Sequence, residues 1–282
     1  MKSIRKRAYG KVNLFLAVGD KRSDGKHEVC TVMHRVDVYD TVTVSVTEGE
    51  GIKLTCTDES IPTDGKNIAY AAAERYLAAA RVSGCVTVDI EKKIPVTAGM
   101  GGGSSDAAAV LTALDEIYGA LSFDELHGIA ASLGADVPFF LYETDAMLGL
   151  GCGTELSPCA SVKELYGVFV RHGNKLSTGA AYAALDEKKN GNFTLKSADK
   201  VLASLEENNV LAFVGAIEND FELIAEHFEE VKNELVALGC LRSFLCGSGP
   251  TVCGLFGSEN EATQASKSLK YPSFVARLGT GK

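Results

Sequence analysis

The chain of 282 residues lacks the signatures that would assign it quickly. It has no GxxxxGK[ST] phosphate loop, and its one glycine-rich run breaks GxGxxG because Ser104 stands where the third glycine belongs, so P-loop and plain Rossmann proteins are disfavoured. None of its eight cysteines forms a CxxC pair, and its five histidines are scattered without zinc spacing. Cys30, Cys56, Cys85 and Cys253 sit singly in apolar patterns, the usage of buried, reduced thiols in a cytoplasm rather than of disulfides. The longest uncharged stretch, residues 243–258, is shorter than the ~20 residues that span a bilayer and is broken by glycines and a proline. At the N-terminus Lys11 interrupts the apolar run and no small-residue cleavage pattern follows, so a secretory signal is not expected. A basic excess is missing too: the formal net charge of −9 argues against nucleic acid as a partner. No internal repeat or low-complexity tract is evident.

What is present is PVTAGMGGGSSDAAAVLTAL at residues 95–114. Gly99, Gly101, Gly102 and Gly103 can adopt backbone angles closed to other residues, so successive N–H groups can turn toward a phosphate chain. Ser104 and Ser105 place hydroxyls at the start of an alanine-rich helix, where unpaired amides and the helix dipole favour negative charge. The bland alternative is a flexible turn. An anionic substrate of an acidic chain must be held by such amides and a few placed cations.

Alternation of Val42, Val44 and Val46, then of Ile52, Leu54 and Cys56 after EGEG, predicts a β-hairpin. Two earlier strands are expected over residues 5–19 and 29–39, with Asp24 and Gly25 at the turn. A helix over 67–80 ended by Gly84 and a strand over 85–91 lead into the glycine loop. Ser122 and Glu125 form a capping box for a helix to Leu133, stopped by Gly134. The pattern loosens over 155–165, where a domain boundary is placed. Beyond it strands at 166–171, 242–246, 251–256 and 273–278 intersperse with helices at 178–186, between 208 and 238, and at 259–269. The fold class is α+β in two domains, 1–157 and 158–282, the second of ferredoxin-like kind.

Lys11, in AYGKVNLFL, puts an ammonium in an apolar strand, either answered there by an anion or snorkelling to water. Asp136, in GADVPFFL, is either a turn residue or a functional acid partnered with Lys11. CGSGPT at 246–251 either closes over ligand or only reverses the chain. His27, in the polar turn RSDGKHEV, can both donate and accept a directed hydrogen bond.

Taken in order, KVNLFL, DGKHEV, PVTAGMGGGSSDAAAVL, LGADVPFFL and CGSGPTVCGLF resemble the GHMP kinase superfamily, from Tyr9 to Phe256. The GGGSSDAAA and GADVPFF segments are most similar to members that phosphorylate the 2-hydroxyl of a diphosphocytidyl-linked methylerythritol. The resemblance implies an N-terminal domain like domain 2 of ribosomal protein S5, a ferredoxin-like C-terminal domain, and ATP with Mg2+. It places the catalytic lysine and aspartate on Lys11 and Asp136. It places the ATP loop on Pro95, Val96, Thr97, Ala98, Gly99, Met100, Gly101, Gly102, Gly103, Ser104 and Ser105. Substrate contacts fall on Asn13 and His27. The family's DGYH turn reads DGKH here, so Lys26 stands where an aromatic ring stacks on cytosine, while Tyr182 in STGAAY matches a second stacking aromatic. Cys246 replaces a common serine. The alternatives are a GHMP kinase for another small alcohol, such as homoserine or mevalonate, or a non-catalytic nucleotide-binding relative; Lys11 and Asp136 together count against the latter. The implied partners are the small-molecule substrate and ATP, with no membrane and no nucleic acid, in a cytoplasmic monomer or weak homodimer.

Overall fold

The computed structural model describes residues 1–162, 164–174 and 176–281. Its strands are β1 (Lys2–Lys21), β2 (His27–Thr47), β3 (Gly51–Cys56), β4 (Cys85–Glu91), β5 (Ala146–Leu150), β6 (Glu155–Pro158), β7 (Tyr166–Arg171), β8 (Glu218–Asn219), β9 (Arg242–Leu245), β10 (Thr251–Phe256) and β11 (Ser273–Arg277). Its helices are α1 (Ile68–Ala80), α2 (Gly102–Tyr118), α3 (Phe123–Leu133), α4 (Thr178–Lys189), α5 (Asp199–Glu206), α6 (Val210–Ala216), α7 (Phe228–Ala237) and α8 (Glu259–Ser268). The chain divides into two compact units that interleave along the sequence. One comprises Met1–Gly10, Val38–Pro95 and Gly101–Glu143; the other comprises Lys11–Asp37, Val96–Met100 and Thr144–Lys282. The strands β1 and β2 contribute to both.

In the first unit β4 pairs antiparallel with the end of β2, from Thr41 opposite Glu91 to Thr47 opposite Cys85, and parallel with β3 on its other edge. The hairpin expected from Val42 to Cys56 is therefore not formed: β4 lies between its two strands, and β3–α1–β4 is a parallel crossover unit. Alternating valines mark strands but carry no information on which neighbour each strand takes. Val42 and Val44 are in fact the end of one long β2, and face Val86, Val88 and Ile90 in the core. Helix α1 is capped by Asn67, whose side chain accepts from the Ala69 amide, and ends on a left-handed Arg81 rather than at Gly84. Alanines 69, 72 and 73 of α1 and 107–109 and 113 of α2 are buried, and the two helices pack on each other. Ser122 and Glu125 complete the predicted capping box on α3.

In the second unit β7, β9, β10 and β11 form an antiparallel sheet in the order β11-β7-β10-β9. With α7 before β9 and α8 before β11, this is the βαββαβ connectivity of a ferredoxin-like domain, as the sequence suggested. Val168, Val170, Leu235, Leu245, Val252 and Phe256 share one core with Leu16, Val18 and Val29 of the long strands. A short parallel pairing of β8 sets Phe15 opposite Glu218 and Leu16 opposite Asn219. The loosened stretch at 155–165 contains β6, which pairs with β5, itself antiparallel to β2. This β5–β6 hairpin, β8 and α5 have no counterpart in the sequence reading, each spanning no more than eight residues. The eight cysteines are free, but of the four read as buried only Cys30 and Cys253 are; Cys56, on edge strand β3, and Cys85, at the start of β4, are half-buried. No helix among the described residues is long and apolar enough to cross a membrane.

Candidate active site

Residues 95–105 lead from β4 into α2, and their backbone shows why glycine recurs. Gly99 and Gly101 have φ of +77° and +73°, and Thr97 joins them in the left-handed region at +58°. Gly102 and Gly103 are instead the first two helical residues. At Gly102 the demand is for space: a Cβ would stand 3.2 Å from Ile94 Cγ2 and 3.3 Å from Lys92 Nζ. Gly101, the N-cap, supplies no side-chain bond, so the leading amides of α2 are left uncapped by any side chain, the arrangement that suits an anion. Ser105 is buried and Ser104 half-buried within this first turn.

Within the second unit the loop meets Lys11. The Lys11 amide donates to Met100 O at 2.9 Å, seating residue 100 beside β1. Lys11 is 3% exposed and does not snorkel to water. Its ammonium donates to Asn13 Oδ1 at 2.8 Å, Asn13 Nδ2 donates to Thr31 Oγ1 at 2.8 Å, and Thr31 Oγ1 donates to Phe15 O at 2.8 Å. All three polar residues are buried, so this directed chain fixes the Lys11 rotamer from behind. Sequence reading found Lys11 and Asn13 but not Thr31; the only available signal was a threonine facing the same strand pair.

The CGSGPT turn does more than reverse β9 into β10. Asn219 Nδ2 donates to both Leu245 O and Gly247 O at 2.8 Å, and its Oδ1 accepts from the Phe221 amide. So pinned, the turn presents its carbonyls to Gly99, where a Cβ would come within 2.8 Å of Gly249 O and closer still to Cys246 O. Lys11 Nζ lies beside the same turn, 3.5 Å from the Cβ position of Gly247. Burial pushes the Cys246 thiol up to about 12, with the nearby Lys11 opposing, so it stays protonated. On the loop's outer side Arg171, at the end of β7, donates to Thr97 Oγ1 at 3.1 Å. Gly99→Val thus meets both a forbidden φ and a backbone clash and, with the loop holding ATP as the resemblance implies, is expected to raise the KM for ATP by about 10-fold or more, since small displacements of a positioning loop are costly. Nucleotide titration calorimetry checks this; unchanged affinity would reduce the loop to a turn.

Asp136 belongs to the first unit. It is half-buried in the turn 135–137 between α3 and the 3₁₀ turn Pro138–Leu141, held by Val137 N to Gly134 O and Phe140 N to Val137 O, both 3.2 Å. The proline forbids further α-helix and the burial of Phe139 and Phe140 anchors the segment, which sets the carboxylate at a defined position.

The β1–β2 hairpin tip carries the remaining candidates. Arg22 N donates to Lys26 O at 2.7 Å, Gly25 takes φ of +82°, and Lys26 stands exposed at the tip. His27 is buried, with Nδ1 2.9 Å from Gly19 O and Nε2 3.1 Å from Asp186 Oδ1. Its ring stacks on Tyr182 at 5.3 Å between centroids and 15° between planes, with Phe193 tilted at 5.0 Å. The structure thus brings His27 and Tyr182 together, and adds Phe193 and Asp186, which sequence spacing did not reveal.

Behind the start of α2, in the first unit, Lys92 Nζ bridges two buried carboxylates. It donates to Asp106 Oδ2 at 2.8 Å and to Asp40 Oδ2. Asp40 Oδ1 also accepts from the Lys93 and Ile94 amides, whereas Asp106 Oδ1 is buried without a partner. Burial, opposed by Lys92 and reinforced by Asp40, pushes the Asp106 carboxyl up to about 7. The triad ties the strand exit at 92–94 to the first turn of α2, the two stems of the loop.

The family model for the GHMP kinase N-terminal domain matches residues 67–144 and that for the C-terminal domain matches 192–272. The chain is 37% identical over 274 residues to the 4-diphosphocytidyl-2-C-methyl-D-erythritol kinase of Geobacter metallireducens, covering 95% of both chains. It is 37% identical to the kinase of that name from Caldicellulosiruptor bescii, covering 94% of this chain and 93% of the relative. A crystal structure of 4-(cytidine 5'-diphospho)-2C-methyl-D-erythritol kinase superposes with a TM-score of 0.79 at 32% identity, covering 99% of this chain and 100% of that one. Homoserine kinase from Cytophaga hutchinsonii, at 19% identity and a TM-score of 0.73, shares the fold. Matched by both halves of the family model and more than a third identical to curated kinases along nearly its whole length, the chain belongs to the GHMP kinase family.

Proposed function

We propose that this kinase transfers the γ-phosphoryl group of ATP to the 2-hydroxyl of 4-diphosphocytidyl-2-C-methyl-D-erythritol, a step of non-mevalonate isoprenoid precursor synthesis. The carrying observation is the near full-length identity to kinases of that name, joined to a buried Lys11 seated against the glycine loop. Phosphoryl transfer asks little covalent chemistry of a protein: phosphates must be held, charge neutralised and the acceptor hydroxyl aimed and relieved of its proton. In this reading residues 95–105 hold the phosphates through backbone amides, Lys11 stabilises the transferred charge, and Asp136 takes the proton from the hydroxyl. Asn13, His27, Lys26 and Tyr182 hold the substrate, with the His27–Tyr182 stack forming one wall for the cytosine.

Mg2+ keeps several waters and binds mainly through substrate phosphates and one or two protein oxygens. The half-buried Ser104 in the uncapped first turn of α2 offers such an oxygen, and the described residues gather no cluster of three ligating side chains there. The residues therefore fit an ion that arrives with the nucleotide, held on the protein side by Ser104 or Ser105, where it would neutralise phosphate charge. The division into family modules at 157/158 and a cytoplasmic monomer or weak homodimer complete the proposal; the two family-model matches fall on either side of that boundary.

A coupled ATPase assay across candidate alcohols tests the reading, with the diphosphocytidyl substrate expected to be turned over and homoserine and mevalonate not. Lys26→Tyr supplies the second ring face, worth about 1–3 kcal/mol by the scale of base–aromatic stacking. It is expected to lower the KM for the diphosphocytidyl substrate by about 5-fold or more with kcat little changed, because the base lies away from the reacting hydroxyl. A wild type inert toward this alcohol, with Lys26→Tyr failing to restore turnover, would point to a different acceptor.

A further inference from the structure

Two of the five histidines, which show no metal spacing in the sequence, converge in the fold. His172 follows the last residue of β7, and His227 is the N-cap of α7, with Glu230 three residues further on. One ligand atom from each of these three lies within 4.8 Å of the other two. His227 Nδ1 is 3.4 Å from Glu230 Oε2. Two ligands bound at 2.0–2.1 Å to one tetrahedral zinc ion stand about 3.3 Å apart, so this pair already has the separation that a shared ion imposes. The His172 ring closes the third side, edge-on to His227 at 5.0 Å between centroids and packed on Tyr271 at 4.5 Å.

The surroundings match what metal ligands need. The Tyr271 hydroxyl donates to Glu230 Oε1, leaving Oε2 for the ion, the outer-shell hydrogen bond that orients a ligating carboxylate. Lys270 lies 3.7 Å from Oε1, the oxygen not facing His227, and pairs more closely with Glu234 at 3.3 Å. His227 takes φ of +59° and makes no cap bond with its ring, so neither backbone economy nor capping accounts for a histidine here.

We propose that His172, His227 and Glu230 bind one borderline transition-metal dication of the zinc class, with three protein ligands and water in the remaining position. The ion ties the end of β7 to the first turn of α7, clamping the sheet of the second unit to one of its helices. The site is independent of the phosphoryl-transfer reading, although Arg171, which holds Thr97 of the loop, is the residue before His172.

The test is calorimetric titration of the full chain with Zn2+, paired with melting temperature. Wild type is expected to bind one equivalent with micromolar affinity and to melt higher at saturating Zn2+. His172→Ala and Glu230→Gln should each weaken binding at least 10-fold and reduce the rise in melting temperature at a fixed Zn2+ concentration, while His127→Ala, on α3, leaves both unchanged. His172 is half-buried and Glu230 exposed, and Glu230→Gln preserves shape, so a folding defect in the first leaves the second decisive. Absence of a one-to-one isotherm, or binding that survives both variants and so belongs to thiols elsewhere, overturns the proposal.

Discussion

Lys11→Met and Asp136→Asn are each expected to lower kcat by about 10²-fold or more while the KM for both substrates changes little. Methionine keeps the length and packing of the buried lysine but removes the charge that Asn13 orients. Asparagine keeps the shape of Asp136 but cannot accept a proton. Because Lys11 is fixed by the Asn13–Thr31–Phe15 chain, a subsidiary effect follows at Thr31: Thr31→Val should reproduce part of the Lys11 defect without touching ligand. Steady-state kinetics on folded variants decides the matter, and near-normal kcat in either primary variant would remove that residue from the proposed chemistry.

Loss of the buried ammonium at Lys92 is expected to be strongly destabilising. Lys92→Met leaves Asp40 and Asp106 facing each other in a site where their side chains are almost wholly excluded from water, and breaking such a buried pair costs about 3–5 kcal/mol. The urea midpoint should fall accordingly, with the loop's two stems loosened together. Asp106→Asn should behave differently, because Lys92 keeps Asp40 as its partner. The folded-state carboxyl of Asp106, raised to about 7 from 3.8, binds a proton that the unfolded chain releases at lower pH. Its stabilising contribution is therefore complete below pH 4 and is lost as pH rises toward 7. The Asn variant should flatten that decline, a slope readable from urea midpoints taken across the interval; an unaltered slope would assign the decline to other groups.

Much of this molecule was legible in one dimension where a local physical rule operates. The β7 and β10 boundaries, the α3 capping box and the helix after the glycine loop each follow from contiguous residues, as does the left-handed turn at Gly25. So does part of the loop's geometry, since left-handed φ at Gly99 and Gly101 and an uncapped helix start are properties of the backbone near those glycines, whereas Gly102 and Gly103 proved helical. Lys11 stood out because a charge inside an apolar strand must find a partner, whatever the fold. The partners themselves were invisible. Thr31 behind Asn13, Asn219 under the 246–249 turn, Arg171 on Thr97 and Asp186 beside His27 are 18, 26, 74 and 159 residues from the groups they serve.

Sheet order failed for the same reason. Alternation told which faces of Val42–Val46 and Ile52–Cys56 are buried, but β4 took the place between them because a parallel crossover buries α1 on the sheet, a gain counted only when the whole layer is assembled. Residue types and short-range geometry were thus determined by the sequence alone. Which distant polar groups satisfy one another, at the Lys92 triad and at His172, His227 and Glu230, was decided by the tertiary fold, since burial and partner distance exist only once the layers have packed.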